Sequence, residues 1–274
     1  MAVSDANEPV DARRRLRIGH LWIDVLSFAQ ALREIERLVD SRHGGAVFTP
    51  NVDHIVKAEG NEAFRRAYQR ASLSLADGMP LVWVAPWLGC PLPERVAGSD
   101  LLIPLLELAA RRQWRVYLLG GAPGVAELVS KILADRMGIT VAGWDDSRIA
   151  SDGSDPTGGS VTRACAANAD LILVGLGPPK QELWIDRSLE AIRPAVAIGV
   201  GASLDFLAGR FKRAPAWMAR SGLEWLFRLL QEPRRLWRRY MLEGPRFLTI
   251  VFATWRLPRA ERIRSYSSSV PRDP

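Results

Sequence analysis

Residues Asp170–Glu182 read DLILVGLGPPKQE. An unbroken apolar run, Leu171 to Val174, ends at Gly175 and passes through Gly177-Pro178-Pro179 into Lys180, Gln181 and Glu182. A short run without polar alternation is the pattern of a parallel strand covered on both faces. The loop after it falls at the strand's carboxyl end, where open α/β sheets bind ligands. Gly177, Lys180, Gln181 and Glu182 are therefore candidate substrate-binding residues, set against the plainer reading of an exposed helix start. The restrictive Gly-x-Gly-Pro-Pro run favours function.

Working outward, the chain alternates short β-rich runs with amphipathic stretches, the signature of a layered α/β domain. Strands are expected at Ala46–Phe48, Leu73–Leu75, Arg115–Leu119, Thr140–Ala142, Leu171–Val174 and Val196–Gly199, after a small β element at Arg17–Ile23. Helical periodicity covers Phe28–Arg42, Glu62–Arg70, Asp100–Arg111, Gly124–Met137, Pro179–Leu189 and several segments after Pro215. Ser151–Ser160 (SDGSDPTGGS) is a loop by composition. The expected fold is a Rossmann-like layered α/β domain with a mostly parallel sheet at residues 16–209. Residues 1–15 and 265–274 are polar and expected to be disordered. Residues 210–264 are expected to form a basic helical appendage.

Other loops fall at strand ends. Leu118–Gly124 (LLGGAPG) follows a strand and opens a helix, so Gly120 and Gly121 either let backbone N–H groups approach a phosphate or make a tight βα turn. Both readings stand at this motif. Gly201, in Ile198-Gly-Val-Gly-Ala-Ser203, suits close packing first and ligand contact second. Thr49 and Asn51 follow another strand in TPNVDH, where an Asn is commonly a helix cap and His54 a satisfied histidine. Asp77, in LADGMP, is a turn residue or a general base at the sheet's ligand edge. Arg95 clamps a phosphate or carboxylate, or makes a surface ion pair.

Charge is unevenly placed. The chain holds 37 Lys+Arg against 30 Asp+Glu, but Arg210–Pro274 alone holds 15 against 5. Four of the ten tryptophans, Trp217, Trp225, Trp237 and Trp255, lie in that segment. Arg with interleaved Trp on helical segments suits an anionic surface over an apolar layer. The first 17 residues lack the apolar stretch of a secretory signal, and no run approaches the roughly 18–20 apolar residues of a spanning helix. Two isolated cysteines, Cys90 and Cys165, fit a reduced compartment and neither a disulfide framework nor a zinc site. The expectation is a cytoplasmic protein bound peripherally to the inner membrane face.

Taken in order, TPNVDHI (Thr49–Ile55), LADGMPLVW (Leu75–Trp83), PERVAGSDL (Pro93–Leu101), VYLLGGAPG (Val116–Gly124), DLILVGLGPPKQE (Asp170–Glu182) and IGVGASLDFLAG (Ile198–Gly209) resemble the WecG/TagA/CpsF family of bacterial glycosyltransferases. The Arg213–Tyr240 run extends the likeness. The resemblance implies inverting, metal-independent transfer of a sugar from a UDP-sugar to a saccharide on a polyprenyl diphosphate, in cell-surface polysaccharide assembly. It implies Asp77 as general base, Thr49 and Asn51 in the sugar pocket, Gln181 on the donor and Arg95 on a phosphate. Arg213, Arg220 and Arg228 of the membrane-binding appendage would approach the lipid diphosphate. No metal and no cofactor beyond the UDP-sugar is expected, and the chain contains no Asp-x-Asp pair. Self-association is left open. Two other classes fit less well: a Rossmann oxidoreductase, disfavoured by the imperfect glycine fingerprint, and a nucleic-acid binder, disfavoured by the acidic body.

Overall fold

In a computed structural model, the structure describes residues 12–210 and 233–267. The described chain opens with an antiparallel hairpin, β1 (Ala12–Ile18) and β2 (Leu21–Asp24), followed by helix α1 (Phe28–Asp40). The central strands are β3 (Gly45–Phe48), β4 (Leu73–Ser74), β5 (Val116–Gly120), β6 (Val141–Asp145), β7 (Leu171–Gly175) and β8 (Val196–Gly199). They lie in the order β4-β3-β8-β7-β5-β6, and every pairing is parallel.

Why such strands read as solid apolar runs is clear from their faces. Ala46, Phe48, Tyr117, Leu119, Ile172 and Val174 pack on one side of the sheet. Val47, Val116, Leu118, Leu171 and Leu173 pack on the other. Successive side chains point to opposite faces, and here both faces are covered. The first layer is supplied by α2 (Val52–Gly60), α3 (Glu62–Arg70), α4 (Met79–Val84), α7 (Ser160–Ala166) and α8 (Lys180–Ser188). The second comes from α1, α5 (Gly98–Arg112), α6 (Val125–Met137) and α9 (Ser203–Leu207).

After β3 the chain turns to the α2 layer; after the neighbouring β8 it turns to the α9 layer. Adjacent strands whose connections leave in opposite directions open a crevice over their carboxyl ends. That crevice is where the candidate loop residues assemble.

Residues 12–15 and 265–267 depart from expectation: polar composition predicts disorder at 1–15 and 265–274, yet β1 pairs antiparallel with β9 (Ile263–Ser267), while 1–11 and 268–274 lie outside the described residues. Composition misleads here because these strands form a small sheet whose partner residues lie some 250 positions apart in the chain. β9 follows helix α10 (Pro233–Trp255) and the short α11 (Arg259–Arg262). Asp24, 2% exposed, joins three strands. It receives Arg15 Nε and Nη2 at 2.7 and 2.9 Å, the Ser74 N–H at 2.7 Å and the Tyr266 hydroxyl. Helix α10 packs on α2 and sends Phe247 and Val251 into the core, while Thr254 Oγ1 accepts the Gly19 N–H at 2.9 Å.

Candidate active site

Asp77 follows β4 directly. Its N–H donates to the Pro50 carbonyl at 2.8 Å, which ties it to the loop after β3 that carries Thr49 and Asn51. The Val96 N–H donates to the Ala76 carbonyl at 2.8 Å, bringing Arg95 beside the same turn. Gly78 holds φ +142°, a conformation that L side chains rarely adopt, and this turns the chain from Asp77 into α4. Asp77 itself is half-buried at the sheet edge. Arg95 Nη2 pairs with Asp100 in the first turn of α5, and the Arg95 side chain is 14% exposed. Asp77, Thr49, Asn51 and Arg95, expected to act together, are thus brought together.

Asn51 takes the capping role weighed for it. It caps α2, with Oδ1 accepting the Asp53 N–H at 3.0 Å, and His54 at the third helical position completes the reciprocal box. Thr49 is 8% exposed, and its Oγ1 lies 2.9 Å from where a Cβ on Gly98 would sit. Only a glycine permits that approach.

The family resemblance puts Gln181 on the donor. The structure gives its side chain to the protein: Oε1 accepts the Gly177 N–H at 3.2 Å and the Gly201 N–H at 3.0 Å, and Nε2 donates to Glu182 Oε1 at 2.8 Å. One amide thereby clasps the loops after β7 and β8. A Cβ on Gly199 would stand 2.8 Å from that Nε2, so the strand end has no room for a larger residue. Glu182 is wholly buried and faces His54 rather than the loop surface. Lys180 begins α8 and is partly exposed.

The glycine loop after β5 resolves toward packing. The Gly121 N–H donates to the Gly175 carbonyl at 2.8 Å, and the Ala122 N–H to Asp205 Oδ1 at 3.3 Å. A Cβ on Gly120 would meet the Leu176 side chain at 2.7 Å, and one on Gly121 the Val125 side chain at 2.7 Å. Two N–H groups already bonded, one of them to a carboxylate, make a braced βα turn and not an open phosphate cradle. Arg213, Arg220 and Arg228 lie outside the described residues.

Behind Asp77 sits a buried group that sequence reasoning does not assemble. Tyr68 on α3 packs among Phe48, His54 and Phe64, with ring centroids 5.0, 6.4 and 5.1 Å away. Burial pushes its phenol well above the ordinary value, and the negative charges of Glu182, Asp53 and Asp77 push the same way. Asp53 is paired with Lys57. Among the described residues, no group of three or more His, Cys, Asp or Glu side chains is arranged to hold a metal ion.

A parallel α/β sheet with Asp77, neutral polar groups and an arginine at its carboxyl edge has the arrangement at which open α/β sheets bind ligands. Comparison with known proteins narrows this. The family model described as "Glycosyl transferase WecG/TagA/CpsF family" matches residues 16–261. An N-acetylglucosaminyldiphosphoundecaprenol N-acetyl-beta-D-mannosaminyltransferase of Bacillus spizizenii is 35% identical over 214 residues, covering 78% of this chain and 80% of that one. A protein of the same name from Bacillus subtilis strain 168 is 33% identical over 215 residues, covering 78% and 81%. The chain belongs to the WecG/TagA/CpsF family and is a glycosyltransferase.

Proposed function

We propose that this enzyme moves an N-acetylhexosamine or related hexose from a UDP-sugar to a saccharide carried on a polyprenyl diphosphate, with inversion at the anomeric carbon. The relatives' names, which specify a mannosaminyl donor and a glucosaminyl-diphosphoundecaprenol acceptor, support the substrate classes. The observation that carries the chemical reading is Asp77: a half-buried residue at the sheet edge whose backbone is tied to the Thr49–Asn51 loop, with Arg95 beside the same turn.

In this reading Asp77 takes the proton of the acceptor hydroxyl as its oxygen attacks the anomeric carbon. The bond from that carbon to the UDP oxygen breaks on the opposite face, and UDP leaves with the electron pair. Thr49 and Asn51 orient the sugars, and Arg95 offsets phosphate charge. No divalent cation is assigned a role. The neighbouring carboxylates have protein partners: Asp53 has Lys57, Asp100 has Arg95, and Glu182 has Gln181.

The cationic C-terminal segment would dock the enzyme on an anionic leaflet, with Arg213, Arg220 and Arg228 toward the lipid diphosphate. Leu248, Phe252 and Trp255 of α10 are exposed, Phe252 stacks on Trp255 at 5.9 Å, and Arg256 lies over Phe252. Aromatic rings beside cations are the side-chain set of a membrane interface. Among the described residues, no helix is long and apolar enough to cross a membrane. A panel of UDP-sugars offered with synthetic polyprenyl-diphosphate saccharides, read by mass spectrometry, tests the assignment. It is sustained by one donor–acceptor pair that gives an inverted glycoside, and refuted by retention of configuration or transfer to water alone.

A further inference from the structure

Helix α5 begins beside the carboxyl ends of β3 and β8, and it begins without a side-chain cap. Its N-cap is Ala97, whose methyl group accepts no hydrogen bond, and alanine is among the poorest residues for that position. The Asp100 and Leu101 N–H groups both donate to the Ala97 carbonyl at 3.0 Å. Ahead of them, the Gly98 N–H has no hydrogen-bond partner among the described residues. Ala97 is 1% exposed and Gly98 is buried as well. A buried helix start with an unmet N–H calls for an acceptor from outside the helix.

A second donor at the same point is also unmet. Thr49, in the loop after β3, is 8% exposed, and its hydroxyl has no hydrogen-bond partner among the described residues. Of its two branches the hydroxyl is the one turned toward α5. A Cβ on Gly98 would stand 2.9 Å from Thr49 Oγ1 but 3.5 Å from Cγ2, with the Gly199 carbonyl oxygen of β8 at 3.7 Å. A buried hydroxyl left unbonded is costly to keep. The charged groups around the two donors are named easily. Arg95 precedes the helix and pairs with Asp100 in its first turn. Asp77 lies one residue beyond the Ala76 carbonyl that receives the Val96 N–H.

We propose that the Gly98 N–H and Thr49 Oγ1 together receive a phosphate oxygen of a glycosyl diphosphate at the start of α5. The ligand class rests on the function proposed above. The site itself rests on two buried, unmet donors at the positive end of a 15-residue helix, where anions are favoured. Arg95 adds a full positive charge, which Asp100 partly offsets. Thr49 then orients a sugar through the phosphate at its anomeric end. Two diphosphates meet in the proposed reaction, the donor's and the lipid acceptor's, and either presents the same oxygen chemistry. If the donor's is held, these bonds strengthen as negative charge builds on the departing UDP.

Calorimetric titration of the full-length protein with inorganic pyrophosphate, UDP, uridine and a sugar on a short polyprenyl diphosphate tests the site. Thr49→Val keeps the side chain's shape and removes the donor. The Kd for pyrophosphate should rise about 10- to 100-fold, the worth of one hydrogen bond to a charged acceptor. A matching loss for UDP, with uridine unchanged, assigns the site to the donor. A matching loss for the lipid-linked sugar, with UDP unchanged, assigns it to the acceptor. Ala97→Asp supplies the missing cap as a fixed carboxylate, and should raise Tm while weakening the same ligands. A raised Tm with unchanged Kd values overturns the anion site, because a purely structural helix start would behave that way. Unaltered binding of all three diphosphates by folded Thr49→Val overturns it too, as does an equal loss for uridine. A parent enzyme that binds pyrophosphate but transfers no sugar sinks the proposed function and leaves the anion site standing.

Discussion

Replacing Gln181 by alanine separates two roles that the sequence alone could not distinguish, donor contact and internal brace. The side chain is 4% exposed and makes three hydrogen bonds, all to the protein. The bond to Glu182 ends on a fully buried carboxylate, and bonds to charged groups are worth about 1.5–3 kcal/mol. The Gly177 and Gly201 N–H groups are part-buried and can recruit water, so each adds about 0.5–1 kcal/mol rather than a full desolvation penalty. Gln181→Ala should then cost ~2.5–5 kcal/mol, which for a chain of this size lowers Tm by roughly 10 °C. Thermal unfolding followed by circular dichroism, with and without UDP, measures this. Gln181→Glu keeps an acceptor but sets a second carboxylate against Glu182. It should gain stability relative to Gln181→Ala as pH falls and one of the two takes a proton. An alanine variant that melts within about 2 °C of the parent, a shift of under ~1 kcal/mol, while losing UDP binding would refute the brace and restore the donor contact.

Asp77→Asn should keep the fold and UDP affinity while lowering turnover by ~10²–10⁴-fold, the usual worth of a general base; unchanged turnover removes Asp77 from the chemistry. Tyr266→Phe deletes a hydroxyl bonded to the buried Asp24 carboxylate and should cost about 1.5–3 kcal/mol in urea unfolding. An unchanged denaturation midpoint would mean that β9 does not depend on this contact. Asp155 is held below the usual carboxylate range because hydrogen bonds from Thr157 and Ser160 outweigh the opposing effect of burial. A depressed folded-state pKa adds stability above the unfolded value, about 3.9, and that stability is lost as pH falls through the folded value. Asp155→Asn should therefore flatten the fall in Tm between neutral and strongly acidic pH, and an unaltered slope would count against it. Deleting everything after residue 209 should destabilise the core as well as weaken liposome binding, because Phe247 and Val251 each contribute about 1.5–3 kcal/mol of burial. A truncated protein with the parent's Tm contradicts that packing.

The sheet is legible because its strands are buried on both faces, which writes Leu171–Val174 and Val116–Leu119 as solid apolar words. Hence the expected and observed strands agree to within a few residues through the core. Short helices such as Met79–Val84 and Ser203–Leu207 escape, since fewer than two turns cannot establish a period. So do the terminal strands, where Arg13, Arg14 and Arg264 look like solvated charge until their partners across the small sheet are known. The site follows the same division. Residues at strand ends, Asp77, Asn51 and Gly177, are locatable from punctuation in the sequence. Their partners are not, because contacts such as the Gly201 N–H on Gln181 Oε1, or the approach of His54 to Glu182, join positions that are adjacent only after folding. A signal does exist for one: an Asn with a histidine three residues on, at a helix start, is a capping-box variant.

By composition, the boundary at Gly209 divides an acidic body from a basic appendage. The structure returns the chain to the body at four places. Phe247 and Val251 enter the core, Thr254 caps the turn at Gly19, Arg262 donates to the Leu88 carbonyl at 3.2 Å, and β9 completes the first sheet. Asp24 carries the connection inward, since the carboxylate that receives Tyr266 also receives the backbone of Ser74, three residues before Asp77. A displacement of the C-terminal segment by a membrane would thus act on β4, the strand that presents the proposed base. Residues 233–267 are accordingly better regarded as the outer part of one folded body, joined mechanically to the strand that carries Asp77, than as an appendage beside a finished domain.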